Sequence, residues 1–174
     1  MAHLIKKFLV FSLQVITTSC LLTSNTFAAD LSKAERIKAP KAPLPGLTSP
    51  ESFSGDTSKA PITVIQFWAS WCTGCGVVMG QMMDTLSKNQ KLGYVTVSLD
   101  ESKDTAMKFF ANKEEKSKQA LQRSYLDASG ASFAEQNGVE SLPYLLVVDQ
   151  KGVIIKRIKG HPTKSDLDNL TKQQ

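Results

Sequence analysis

The run Ile62-Thr63-Val64-Ile65-Gln66-Phe67-Trp68, followed within a few residues by Cys72-Thr73-Gly74-Cys75, constrains this chain more than any other feature. A short run rich in β-branched and aromatic residues reads as a strand buried on both faces. From about Thr73 to Ser87, Val77, Val78, Met82 and Leu86 recur near helical spacing. Strand is therefore expected to give way to helix at Cys72, and a strand covered on both faces calls for an α/β architecture.

The rest of the chain extends that pattern. Tyr94-Val95-Thr96-Val97-Ser98-Leu99 reads as a second strand, and Asp100-Glu101-Ser102 as the cap of a helix that begins near Lys103 and carries Ala106, Phe109 and Phe110. Together with the first strand and helix this makes a βαβα unit with parallel strands. A mixed-charge helical stretch follows, then a short strand at Tyr125-Leu126-Asp127 and a helical turn from Ala131 to Gln136 that Gly138 ends. Tyr144–Val148 and Val153–Ile158 flank Asp149-Gln150-Lys151-Gly152, the pattern of an antiparallel hairpin with glycine in its turn. A last helix is expected from about Lys164 to Lys172.

The first fifty residues bear on location. Lys6 and Lys7 precede an apolar run from Phe8 to about Leu22, and Thr26-Phe27-Ala28 supplies small residues at −3 and −1, so residues 1–28 read as a secretory signal peptide cut after Ala28. The run contains Ser12, Gln14, Thr17, Thr18 and Ser19 and falls short of the roughly 20 apolar residues of a membrane span. Retention as an anchor stays open, as does lipidation at Cys20, since Thr17-Thr18-Ser19-Cys20 loosely resembles a lipoprotein box. Either way the expected location is the periplasm or another exported compartment. Pro40, Pro43, Pro45 and Pro50 among small and polar residues make 29–50 a proline-rich arm or linker, leaving 51–174 as the domain.

Export changes how the cysteines read. Without Cys20, only Cys72 and Cys75 remain, too few for a disulfide framework. A structural zinc site takes about four ligands, and His161 is the one histidine of the mature part. The pair is thus expected to be a redox couple that needs no dissociable cofactor and no metal, the Cys72–Cys75 disulfide itself being the redox centre. At a helix start, backbone N–H groups and the helix dipole favour thiolate, which makes Cys72 the attacking thiol and Cys75 the resolving one. Of the formal charge of +5, two belong to Lys6 and Lys7; the remaining +3 is scattered without a basic block and points to no nucleic-acid partner.

Phe67-Trp68-Ala69-Ser70-Trp71-Cys72-Thr73-Gly74-Cys75 resembles the active site of the thioredoxin superfamily. Tyr125–Gly130, Gly138-Val139-Glu140-Ser141-Leu142-Pro143 and Val148–Gly152 resemble its exported TlpA/ResA-like branch, over roughly residues 55 to 170. The resemblance implies a three-layer α/β/α fold whose mixed sheet ends in a hairpin before a C-terminal helix. It implies a cis-proline at Pro143 facing the disulfide, with Trp71, Leu142 and Pro143 contacting substrate. It also implies protein substrates bearing cysteines or disulfides, and a membrane oxidoreductase as electron donor.

Departures from that pattern bear on mechanism. Val78 and Gly80 stand where such relatives have a glutamate and a proline, and thioredoxin's buried aspartate and its neighbouring lysine would fall at Gln66 and near Thr96. The usual acid near Cys75 is absent from those positions. With no histidine between the cysteines the residues favour a disulfide reductase, while an oxidase or isomerase direction stays open. Met79, Met82 and Met83 behind the cysteines admit a Cu(I)-handling alternative, and a non-catalytic binding module is a third. His161, in a loop past the last strand, is expected to be a surface residue without a role.

Overall fold

The computed structural model describes residues 34–128 and 132–172. The signal, anchor and Cys20 expectations, and residues 29–33, lie outside them. Among the described residues no helix is long and apolar enough to cross a membrane.

The segment expected to be a loose arm is built into the domain. Strand β1 (Leu44–Pro45) pairs antiparallel with β2 (Ser52–Phe53). The Ile37 N–H donates to Gly152 O at 2.8 Å, Lys38 is held from both backbone groups by the Asn137 side chain, and the Leu47 N–H donates to Ser124 O at 2.8 Å. Prolines exclude helix here, as the sequence indicates, but they do not exclude an extended chain. Leu44, Leu47 and Phe53, set between and after them, are buried and give the extended segment an apolar anchor every few residues.

Strand β3 (Ile62–Trp68) lies at the centre of a five-stranded sheet and is buried along nearly its whole length. Helix α1 (Cys75–Lys88) leads from it to β4 (Leu92–Ser98), which runs parallel to β3. Ser102 caps α2 (Lys103–Ala111), its hydroxyl accepting from the Thr105 N–H at 3.2 Å. The charged stretch that follows folds into α3 (Glu115–Gln119), a 3-10 turn (Ala120–Arg123) and β5 (Ser124–Leu126), parallel to β4. After α4 (Ser132–Gln136), Gly138 takes φ 69°, and β6 (Tyr144–Asp149) and β7 (Ile154–Lys159) form the expected hairpin, with Gly152 at φ 76° in its turn. Helix α5 (Lys164–Lys172) closes the described chain. The sheet order is β5-β4-β3-β6-β7, with β6 and β7 antiparallel to their neighbours. This is the three-layer α/β fold with a mixed sheet that the sequence implies.

Alternation along β3 divides the core. Val64 and Trp68 face α1, α2 and α5, packing with Val78, Met79, Met82, Phe109, Phe110 and Leu170, whereas Ile65 and Phe67 face Phe133, Leu44 and Phe53. Trp68 sits in an aromatic group with Phe109 and Phe110, ring centroids 4.7 and 5.2 Å away. Its burial shows it to be structural. Met79 and Met82 are wholly enclosed in the same core and Met83 packs against it, so the thioethers that motivated a copper reading serve as filler.

Candidate redox site

The site stands where β3 ends. Leu99 N–H donates to Trp68 O at 2.8 Å, carrying the parallel ladder one step past the strands. Beyond it, the buried carboxyl group of Asp100 accepts the Ser70 N–H at 3.0 and 3.1 Å, the Ser70 hydroxyl at 2.7 Å and the Ser98 hydroxyl at 2.8 Å. That cluster fixes the loop that presents Trp71 and Cys72. No sequence signal marked Asp100 as more than part of a helix cap; its role emerges from the β3–β4 register, which sets the ends of both strands side by side.

Cys72 and Cys75 are joined as a disulfide, their Cα atoms 5.5 Å apart. The helix begins at Cys75 with Gly74 as its cap, so Cys72 lies in the turn before α1 and not inside its first turn as expected. The reason is local: Cys72 N–H donates to Ala69 O and Cys75 N–H donates to Cys72 O, closing two successive turns before the α-helical ladder starts with Val78 N–H donating to Gly74 O. Cys72 nevertheless abuts the positive end of the helix, and the first turn of α1 contains no acid to oppose it. Cys75 is fully enclosed and Cys72 is 5% exposed. Trp71 beside it is 71% exposed and Val77 is 57% exposed; Val77, grouped with Val78 and Met82 by helical spacing, faces outward.

Beneath the disulfide the protein is polar and uncharged. The Gln66 side chain, fully buried, donates from Nε2 to Cys75 O at 3.1 Å and accepts from the Tyr94 hydroxyl at 2.5 Å. Burial pushes the Tyr94 phenol far up from its usual range, which keeps it a neutral donor. Thr96, the register partner of Gln66, accepts from the Trp68 indole N–H at 3.1 Å and shares a hydrogen bond of 2.6 Å with Ser124. Val78 is buried. On the other side of the helix start, the Ser117 hydroxyl donates to Gly76 O at 2.7 Å, and the Lys113 ammonium lies 4.3 Å above the Phe109 ring with its methylenes across Gly76.

The Leu142–Pro143 peptide bond is cis. Pro143 is buried, and Leu142 packs against the core cluster that contains both cysteines. Pro143 O accepts the Gly160 N–H at 2.9 Å, drawing the end of β7 to the same edge. The next residue, His161, then lies against Gly74: a Cβ at Gly74 would overlap Nε2 of His161 and stand 3.1 Å from its Cε1. The histidine dismissed from the sequence thus borders the disulfide loop. The signal that places it was available in the hairpin, because Tyr144 opposite Lys159 puts residues 160 and 161 beside Pro143.

A buried strand that delivers a two-cysteine loop to a helix start, with a cis-proline before the neighbouring strand, defines a thioredoxin-type redox fold. The chain belongs to the thioredoxin-like family, whose domain model matches residues 56–174. ResA thiol-disulfide oxidoreductases of Bacillus thuringiensis subsp. konkukian and Bacillus cereus are each 29% identical to it over 110 residues, 63% of this chain and 61% of theirs. The match therefore spans less than two thirds of those relatives. Among solved structures, a Chlorobium tepidum protein described as a thiol:disulfide interchange protein DsbE superposes with a TM-score of 0.63 at 26% identity, over 78% of this chain and 92% of its own. StoA of Bacillus subtilis shares the fold, with a TM-score of 0.59 at 21% identity over 76% of this chain and 100% of its own.

Proposed function

We propose that this protein is an exported thiol-disulfide oxidoreductase that reduces disulfides in protein substrates. The observation that carries the reading is the Cys72–Cys75 disulfide at the β3–α1 junction, with Cys75 enclosed and Cys72 at the surface end of the pair. In the reduced protein the Cys72 thiolate attacks one sulfur of a substrate disulfide. The other substrate sulfur leaves as thiolate and takes up a proton. Cys75, as thiolate, then attacks Cys72 Sγ, the Cys72–substrate bond breaks, and the second substrate sulfur departs. Two electrons pass to the substrate, and the pair is left oxidised.

Trp71 offers an exposed aromatic surface beside the nucleophile, and the Leu142–Pro143 backbone lies where an extended substrate segment can pair with it. The signal-like N-terminus supports export, and a membrane dithiol oxidoreductase would return the two electrons. Apocytochrome c cysteines and misoxidised exported proteins are the substrate classes that fit. The uncharged floor at Gln66 leaves proton transfer at Cys75 to solvent or substrate.

Equilibrating the pair with glutathione tests the direction. A reductase is expected to have a potential near that of thioredoxin, about −270 mV, whereas a value near about −120 mV would make the protein an oxidant and overturn the reductive reading. Cys72→Ala is expected to abolish insulin reduction; retained activity would overturn the enzyme reading altogether.

A further inference from the structure

We infer that His161 is a pH-dependent thiolate-stabilising residue of this site, its imidazolium favouring the Cys72 thiolate across Gly74. The inference rests on the oxidoreductase reading above and adds a residue to it. Gly74 supplies the first step. Its φ of −81° and ψ of −15° are open to any amino acid, so backbone freedom does not call for glycine there. The missing side chain leaves the space that His161 Nε2 occupies. The two residues are complementary: a spacer without a side chain admits the ring to the loop that joins the two sulfurs.

The backbone on either side of His161 is anchored. Gly160, at φ 81°, donates its N–H to Pro143 O at 2.9 Å, and Pro162 is buried. The imidazole itself is exposed, so protons reach it freely.

The other charges on the surrounding elements do not duplicate it. On β7, Lys159 pairs with Glu140 at 2.5 Å, which occupies the acid of the loop before Pro143, and Arg157 pairs with Glu35. At α5, Asp166 is taken up by Lys156 and by the Thr163 cap, while Lys164 is exposed. The turn 73–74 has no charged side chain, and the nearest acid on α1, Asp84, pairs with Lys116 at 2.7 Å. Lys113, whose methylenes cross Gly76, directs its ammonium over the Phe109 ring. His161 is the one histidine among these neighbours, and histidine is the side-chain type that serves as a proton switch near neutral pH.

The sign follows. When protonated, the imidazolium favours the Cys72 thiolate; when neutral, the ring does not. When Cys72 attacks, negative charge moves to the departing substrate sulfur, and the proton on His161 can pass to that sulfur, leaving a neutral thiol and a neutral imidazole. Charge and protons balance without a further reactant.

The test is the rate of Cys72 alkylation by iodoacetamide in the reduced full chain, read at Cys72 by tandem mass spectrometry from pH 5.5 to 9. A cation that favours the thiolate tenfold yields about a threefold gain in rate, because nucleophilicity falls with pKa at a slope of about 0.4–0.5. His161→Gln is expected to react about threefold more slowly than the parent at pH 6 and equally fast at pH 9. Gly74→Ala, which expels the ring, is expected to show the same pH-selective loss and to add nothing in a His161→Ala background. A ratio of variant to parent that stays constant across the pH range would overturn the role of His161, since a merely structural residue acts at every pH. If the parent Cys72 reacts no faster than free cysteine at any pH, the oxidoreductase reading falls, and this one with it.

Discussion

The uncharged floor under the disulfide makes a quantitative prediction through the pair Gln66 and Tyr94. Gln66→Leu removes the acceptor of the Tyr94 hydroxyl, which is 2.5 Å away and sealed from solvent, and the donor to Cys75 O. An orphaned buried hydroxyl costs about 1–3 kcal/mol, and the carbonyl loses one of its donors, so the variant is expected to be about 2–4 kcal/mol less stable. Tyr94→Phe leaves Gln66 Oε1 without its donor and is expected to cost about 1–3 kcal/mol. In the double variant neither orphan exists. Its cost should therefore fall short of the sum of the single costs by about 1–2 kcal/mol, within the range found for residues that share a hydrogen bond. Urea unfolding of the four proteins, followed by Trp fluorescence and far-UV dichroism together, measures this coupling. Single costs that add to within about 0.5 kcal/mol would mean that the two side chains are not partners, and that the floor of the site is organised otherwise.

Two further perturbations read other parts of the site and its frame. Asp100→Asn keeps the shape of the side chain but loses an acceptor oxygen in a cluster that holds Ser70 and Ser98, and is expected to cost about 2–3 kcal/mol and to slow Cys72 alkylation; an unchanged urea midpoint would show that Asp100 does not fix the loop. Lys156 and the Thr163 cap hold the Asp166 carboxyl down to about 2. Because that value is below the unfolded one, its contribution to stability is present above about pH 4 and is lost as the pH falls toward 2. Thermal melts are expected to show a smaller drop between pH 4 and 2 for Asp166→Asn than for the parent, and equal drops would refute the linkage.

The elements legible in the sequence are those whose signal is local. The two-faced apolar run at Ile62–Trp68, the Ser102 cap, the glycine turn at 152 and the helix at Lys164–Lys172 each declare themselves within a few residues. The cysteine pair does so as well, through type and spacing. What escaped were the residues whose meaning depends on a distant partner. His161 acquires a neighbour through the β6–β7 register and the missing side chain at Gly74, and Asp100 acquires its loop through the β3–β4 register. Val77 shows the converse: helical spacing groups it with Val78, yet only Val78 turns inward. Periodicity locates a face but does not set its edge to within one residue.

The proline-rich segment is where composition and packing point in opposite directions, and a truncation decides between them. As a linker, residues 34–50 would contribute nothing to stability, because an unpacked segment removes no apolar surface from water. As part of the fold they bury Leu44 and Leu47, and Leu44 pairs with Phe53, whose ring lies 5.5 Å from Tyr125 and 5.9 Å from Phe133. At about 1.5–3 kcal/mol for each fully buried apolar side chain, the two supply roughly 3–6 kcal/mol before the entropy of ordering the segment is subtracted. Prolines reduce that entropy, since an unfolded chain containing them has fewer conformations to lose. Domains are stable by only about 5–15 kcal/mol in all, so a chain starting at residue 51 is expected to unfold at a markedly lower urea concentration than one starting at residue 34. It should also expose the Phe133 side of the sheet, with increased binding of an apolar dye. Equal urea midpoints for the two chains would restore the linker reading and place the boundary of the folded unit after Pro50.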